Sequence, residues 1–490
     1  MKIINISVIT LGILLMSTSC RKFVHLEGPP TSSTADQVFS SNEQAAAVVS
    51  YVYYQMANTE FYSQGYGGIS FLAAVSADEL RSYTVQSLAD VNANAILPTN
   101  MYAINNWTIA YKNIYHANLV MENLAQSPVI SDAVKRQLTG ECRFIRAFFH
   151  FYTSGLFGKV PLVTSTDYNV NTRLPRSSVA EVYNSIVADL KEAQLLLTDQ
   201  YVNATNTTTT ERIRPNKAVA TALLAKVYLY MKDWANAEAQ ASTVIGNSTY
   251  VLEPDLLNVF RDISREAIWQ LKPVLPFGQD GRAMIITQDP RTIGSSAYSG
   301  TPMTNVLYNA FDPSDKRRAN WVGTFTAGQD VFRFAHKYKN NAGTPAIPEY
   351  LMAFRLAEQY LIRAEARAMQ GKLTGAGSAA EDINAIRNRA FDDPALKVTH
   401  ATTLPQMMLA IEQERRTELF TEWGNRMMDL RRWAGFNNPN GNRADEVMPL
   451  VMLEKGVGTW AAYKTLFPVP QQEILNNPSL AGDQNPGYGF

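Results

Sequence analysis

Residues 216–245 read NKAVATALLAKVYLYMKDWANAEAQASTVI, and their spacing decides the fold class. Leu224, Ala225 and Tyr228 recur at helical spacing, and Ala237 follows Ala225 by twelve residues. That is the spacing of a tetratricopeptide helix pair. Small alanine side chains at these points let two antiparallel helices approach closely. A second pair is expected at 350–390, where AEQYLIRAEARAMQGK, a Gly-rich turn and AAEDINAIRNRA follow one another. Each pair leaves an apolar face that only a neighbour covers, so such pairs stack into a superhelix.

Upstream of residue 216, helical patterning runs from Asp36 to about Asn58, over 102–126 and over 131–157. Ser178-Val-Ala-Glu181 has the form of a capping box opening the helix VAEVYNSIVADLKEAQLLL. Residues 59–100, rich in Gly, Ser, Tyr and Asn, lack sustained periodicity and read as a long loop, a feature that is usually functional or disordered. Residues 250–345 break the helical pattern with Pro254, Pro273, Pro276, Pro290, Pro302 and Pro313 and with short apolar runs such as AIWQL and AMIITQ. They read as loops with one or two short strands. Thr403-Leu-Pro-Gln406 is a further capping box, ahead of MMLAIEQERRTELFTEWG, and the Pro-, Asn- and Gly-rich tail from 434 to 490 reads as irregular. The expected fold is mostly α: a tetratricopeptide-like scaffold over about 36–250 and 350–433, with long loop-rich insertions and a few short strands.

Composition narrows the function. The 490 residues carry 44 Lys+Arg and 44 Asp+Glu, so formal net charge is zero and no basic stripe suited to nucleic acid emerges. The 7 Trp, 23 Tyr and 21 Phe suit stacking against uncharged rings instead. Lys2 and the apolar stretch Ile4 to Met16, followed by Ser17, Thr18, Ser19 and Cys20, form a secretory signal too short to span a membrane permanently. The stretch up to Cys20 resembles a bacterial lipobox, which implies cleavage before Cys20 and lipidation of its thiol. Residues 1–19 are then a signal peptide, 20–35 a lipidated tether with Pro29 and Pro30, and 36–490 one domain. Cys142, in the aromatic-rich GECRFIRAFFHFY, reads as a buried small hydrophobe.

Three segments in order resemble the SusD/RagB family of outer-membrane nutrient-binding lipoproteins. In RLPRSSVAEVYNSIVADLKEA these are Arg176, Val182, Tyr183, Ile186, Asp189 and Leu190. In IEQERRTELFTEWGNRMMDLRRW they are Glu414, Arg415, Glu418, Glu422, Arg426, Asp429, Leu430, Arg432 and Trp433. In FPVPQQEILNNPSLAGDQNPGY they are Pro468, Pro470, Glu473, Asn477, Pro478, Gln484, Asn485, Pro486, Gly487 and Tyr488. The resemblance implies a right-handed superhelix and a loop-rich second half that binds ligand, about 251–349. It also implies a nutrient carrier docked as a lid on a SusC-like TonB-dependent transporter. The implied ligand is most often an oligosaccharide, in some members a peptide. A repeat scaffold for other envelope proteins is the alternative from another class. The expected location is the outer membrane, held by the lipid and facing outward; Arg21, Lys22 and His25 stand after Cys20, where surface-exposed members often carry acids.

Chemistry-bearing motifs are sparse. Histidines at 25, 116, 150, 336 and 400 are too scattered for a metal site, and no phosphate loop, nucleophile elbow or zinc motif occurs. Neither enzymatic activity nor a cofactor is expected. Asp78-Glu79 is the acid pair to inspect for glycosidase work. The charged run Glu412 to Glu422, with Glu412–Arg416 at i,i+4, reads as a network locking its helix to the scaffold. Ligand contacts are expected from loop aromatics: Tyr62, Tyr66 and Tyr83 in the first long loop, Tyr298 and Trp321 in the second. Arg81, Asn92 and Asn94 are candidate polar contacts, while Trp107 and Trp234 read as core.

Overall fold

The computed structural model describes residues 39–58, 65–83, 86–275, 278–292, 300–341 and 347–489. Its longer helices are α1 (Asn42–Asn58), α2 (Ile69–Ser76), α3 (Gln86–Asn92), α4 (Met101–Gln126), α5 (Asp132–Phe157), α6 (Val179–Leu196) and α7 (Lys217–Tyr230). They continue as α8 (Trp234–Ile245), α9 (Leu356–Met369), α10 (Ala379–Ala390), α11 (Leu404–Glu418), α12 (Asn425–Arg432) and α13 (Arg443–Lys455). From α4 to α10 each helix packs on the next, and α11 closes against α9 and α10.

The α7–α8 pair forms as its spacing predicts. Ala225 and Ala237 are both fully buried, and Asp233 caps α8 by accepting the Asn236 N–H. Both sequence-predicted capping boxes are present, at Ser178–Glu181 and Thr403–Gln406. Helix α5 is the spine. Phe144, Phe148, Phe149 and Phe151 are fully buried on it, so its aromatic run serves as core on every side. Cys142 is buried there too, and burial pushes its thiol far up, away from the reactive thiolate.

Helix α8 packs directly on α9 although 110 residues separate them in the chain, so 246–355 is an insertion into the stack. Strands β1 (Ala267–Leu271) and β4 (Leu351–Arg355) pair antiparallel at its base. They lie against α5 through Trp269, whose ring meets Phe144 and Phe148 edge-on at 5.0 and 5.5 Å. Strands β2 (Val322–Ala327) and β3 (Asp330–Ala335) form a hairpin closed at Gly328, whose φ of +63° suits glycine. One apolar run, AIWQL, is thus β1 as expected; AMIITQ instead begins inside a short helix, Gln279–Met284.

Two regions read as irregular contain helix. Residues 59–100 hold α2 and α3, and the tail holds α13. Every residue of α2 is buried, so its sequence ISFLAAVS offers no polar face from which a helical period is read. In α13, Pro449 sits inside the helix and obscures the pattern. Among the described residues no helix is long and apolar enough to cross a membrane. Cys20 and the tether lie outside the described residues.

The charged run of α11 fastens the insertion to the stack. Arg317, Lys337 and Arg355, all from the insertion, pair with Glu414, Glu418 and Glu422. The expected Glu412–Arg416 contact is replaced by longer-range ones. Glu412 binds Arg426 and Arg443, each at 2.9 Å, while Arg416 reaches Asp78 at 3.0 Å. At the other end, Arg176 holds the C-terminal segment through Asp483 and Asn485.

Candidate ligand-binding site

Three segments distant in sequence lie side by side to build one pocket. Leu80 bridges to Met303, and Arg81 N–H donates to Pro302 O at 2.8 Å. On the other side of that central segment, Met303 N–H donates to Arg333 O at 2.7 Å, and Pro302 bridges to Phe334 of β3. The loop after α2 is therefore held alongside the β2–β3 hairpin by backbone hydrogen bonds. The pocket that opens there, about 200 Å³, is lined by Arg81, Tyr83, Arg291, Asp330, Phe332 and Arg333, with Pro302, Met303, Asn305, Val331 and Glu454 completing it.

Its walls are flat. Tyr83 is 39% exposed and meets the Phe332 ring edge-on at 6.1 Å. The Arg81 guanidinium lies 4.5 Å over Tyr83, and that of Arg291 lies 5.0 Å over Phe332. Tyr308, beside the pocket, carries Arg333 at 3.9 Å and Arg318 at 4.5 Å. The carboxylates present are already engaged. Asp330 pairs with Arg291 at 2.6 Å, and Glu454 accepts the N–H groups of Asn305 and Val306.

The acid pair Asp78-Glu79 lies beneath this loop and is not arranged for glycoside hydrolysis. Both oxygens of Asp78 are taken by Arg426 at 2.8 Å. Burial alone would raise its pKa, but Arg426 and Arg416 hold it well below the usual carboxylate range. Burial and the neighbouring Asp78 charge push Glu79 up to about 8, and Glu79 accepts the Thr421 N–H at 3.2 Å. The pair is a buried strut tying the pocket loop to α11 and α12. Among the described residues no group of three or more His, Cys, Asp or Glu is placed to hold a metal ion.

Of the sequence-predicted contacts, Arg81 and Tyr83 come together in the pocket. Trp321 does not. It is fully buried, and its indole N–H donates to Leu256 O at 3.0 Å. The ring packs on Phe260 and Phe420 with the Lys337 ammonium 5.1 Å above it. It therefore offers no open face, and its role is to carry the insertion's own core. Asn92 and Asn94 are likewise buried bracing groups. Asn92 accepts the Ser82 N–H at 3.0 Å, and Asn94 donates to Ser76 O at 2.8 Å. Tyr66 is the middle residue of the one-turn 3-10 helix Gly65–Gly67, but its side chain, with Tyr62 and Tyr298, lies outside the described residues. Trp107 is core as expected, whereas Trp234 is half-buried at a different cavity. Sequence reasoning missed Phe332, Arg333, Arg291 and Asp330. The signal was present: TFTAGQDVFRFA alternates around a Gly-containing turn, the mark of a hairpin.

The body is a stack of helix pairs with a loop-rich insertion, and an aromatic pocket lies where that insertion meets the loop after α2. Residues 246–488 match the family model described as SusD family, and residues 25–229 match one described as "Starch-binding associating with outer membrane". The chain belongs to the SusD/RagB family. It is 24% identical, over the whole of both chains, to SusD-like protein P25 of Formosa agariphila. It is 25% identical to the starch-binding protein SusD of Bacteroides thetaiotaomicron, over 74% of this chain and 75% of that one. Surface glycan-binding protein A from Bacteroides uniformis superimposes with a TM-score of 0.74 at 20% identity, covering 91% of this chain and 99% of the other.

Proposed function

We propose that the protein binds an oligosaccharide at the outer membrane, without turning it over, and delivers it to a SusC-like TonB-dependent transporter. The observation that carries this reading is the exposed Tyr83 ring set against Phe332 in a pocket of about 200 Å³. Sugars present apolar C–H faces that pack on such rings while their hydroxyls meet polar groups at the rim. Family membership supports glycan binding, since a relative and a structural neighbour are named for starch or glycan binding. The engaged state of Asp78 supports binding without hydrolysis. A lipid on Cys20 would hold the protein at the bilayer, because several acyl chains anchor stably.

The test is isothermal titration of the purified protein with a panel of neutral and acidic oligosaccharides, alongside peptides and a reducing-end assay. Saturable glycan binding with no new reducing ends is expected. Binding of peptides alone, or release of reducing ends, would contradict the reading. Labelling cells with radioactive palmitate tests the anchor, with loss of label in Cys20→Ser as the expected result.

A further inference from the structure

The pocket lining carries three arginines and two carboxylates. Three guanidinium planes, those of Arg81, Arg291 and Arg333, lie over the rings of Tyr83, Phe332 and Tyr308 at 4.5, 5.0 and 3.9 Å. Arg291 is neutralised by Asp289 and Asp330, at 2.8 and 2.6 Å. Arg81 and Arg333 have no carboxylate partner among the described residues. Glu454, the other carboxylate of the lining, accepts the N–H groups of Asn305 and Val306 and pairs with neither arginine, though it keeps its charge. Arg81 and Arg333 flank the Pro302–Met303 segment from opposite sides, each held by a backbone hydrogen bond. A guanidinium stacked on a ring is held in plane and can present its N–H edges to a planar or tetrahedral oxyanion; Arg333 also donates to the Tyr308 hydroxyl and keeps the rest of its fork for such a group. Tyr308 sits beside the pocket with Arg318 and Arg333 over its ring. A hydrogen bond from Arg318 lowers its hydroxyl pKa, with Arg333 adding to the effect.

We propose that this pocket takes an anionic saccharide, its ring packed on Tyr83 and its acid group read by Arg81 and Arg333. The inference rests on the glycan-binding reading and names the ligand class within it. A neutral sugar offers these two guanidinium groups only single hydroxyl acceptors, whereas a carboxylate or sulfate adds opposite charge and can accept two parallel N–H bonds from one guanidinium.

Titration calorimetry with three probes decides it: oligogalacturonate, which carries only carboxylates; κ-carrageenan oligosaccharide, which carries only sulfates; and neutral maltoheptaose. At low salt at least one acidic probe is expected to bind about tenfold or more tightly than maltoheptaose, with the gap closing as salt rises. Preference for one acidic probe identifies the acid group. Arg81→Gln and Arg333→Gln should each weaken acidic binding about tenfold, and by clearly more than they weaken any maltoheptaose binding measured on the same folded protein. Tighter binding of maltoheptaose, indifferent to salt and to both substitutions, overturns the inference and leaves the glycan reading standing. Binding of none of the three, nor of any other glycan in the wider panel, overturns the glycan reading and this inference with it.

Discussion

Arg355, the last residue of β4, and Glu418, the last residue of α11, meet at 2.5 Å with side chains no more than 1% exposed. Glu418 also pairs with Arg317 and Arg389, so one carboxylate joins the stack to three arginines. Such a cluster makes specific geometry compulsory, because any member left alone is a buried unpaired charge. Glu418→Gln is therefore expected to cost about 3–5 kcal/mol of stability, measured by chemical denaturation.

Acid should weaken the same cluster. Burial opposes ionisation of Glu418, but Arg389 and Arg355 hold its pKa well below the ordinary range, and Arg426 does the same for Asp78. A depressed folded-state pKa contributes stability that is present above the unfolded value, about 4, and is lost as pH falls below it. Denaturation midpoints should drop as pH falls below about 4, and the drop should be smaller in Glu418→Gln.

Glu79 gives the opposite slope. With its folded pKa raised to about 8, the native state keeps a proton that the unfolded chain has released above about 4.3, so stability falls as pH rises through that window. Lys455, pulled down to about 7 by burial, adds stability as pH rises beyond that point. Glu79→Gln can still accept the Thr421 N–H and removes only the falling limb. Relative to the wild type, it should therefore be more stable at pH 8 than at pH 5, as denaturation at the two values will show.

The helical stack was legible because its signals are local. Ala225 and Ala237 mark the helix pair, and Ser178–Glu181 and Thr403–Gln406 mark helix starts within a few residues. What was not legible depended on burial. Helix α2 is apolar throughout and shows no period, and Trp321 looked like a loop aromatic because its loop folds over it. The pocket was half legible. Arg81 and Tyr83 stood out in an aromatic-bearing loop, but Arg333 and Phe332 reach them only through the ribbon centred on Pro302–Met303, a pairing that no local pattern encodes.

Trp321 separates these two kinds of aromatic experimentally. Trp321→Ala should lower stability by about 3–5 kcal/mol, the usual cost of emptying a large core site. Glycan affinity per folded molecule should hold within about twofold, since the ring does not line the pocket. Denaturation curves and titration of the folded fraction measure the two effects independently.

The central claim is that the Tyr83 pocket is where glycan binds. Titrating the tightest-binding oligosaccharide into the wild type and into Tyr83→Ala, at matched melting temperature, tests it most directly. The account predicts that affinity falls about tenfold or more in the variant, because an exposed ring is lost from the pocket wall and little from the core. Unchanged affinity in Tyr83→Ala, with the wild type binding well, would place the glycan elsewhere and contradict it.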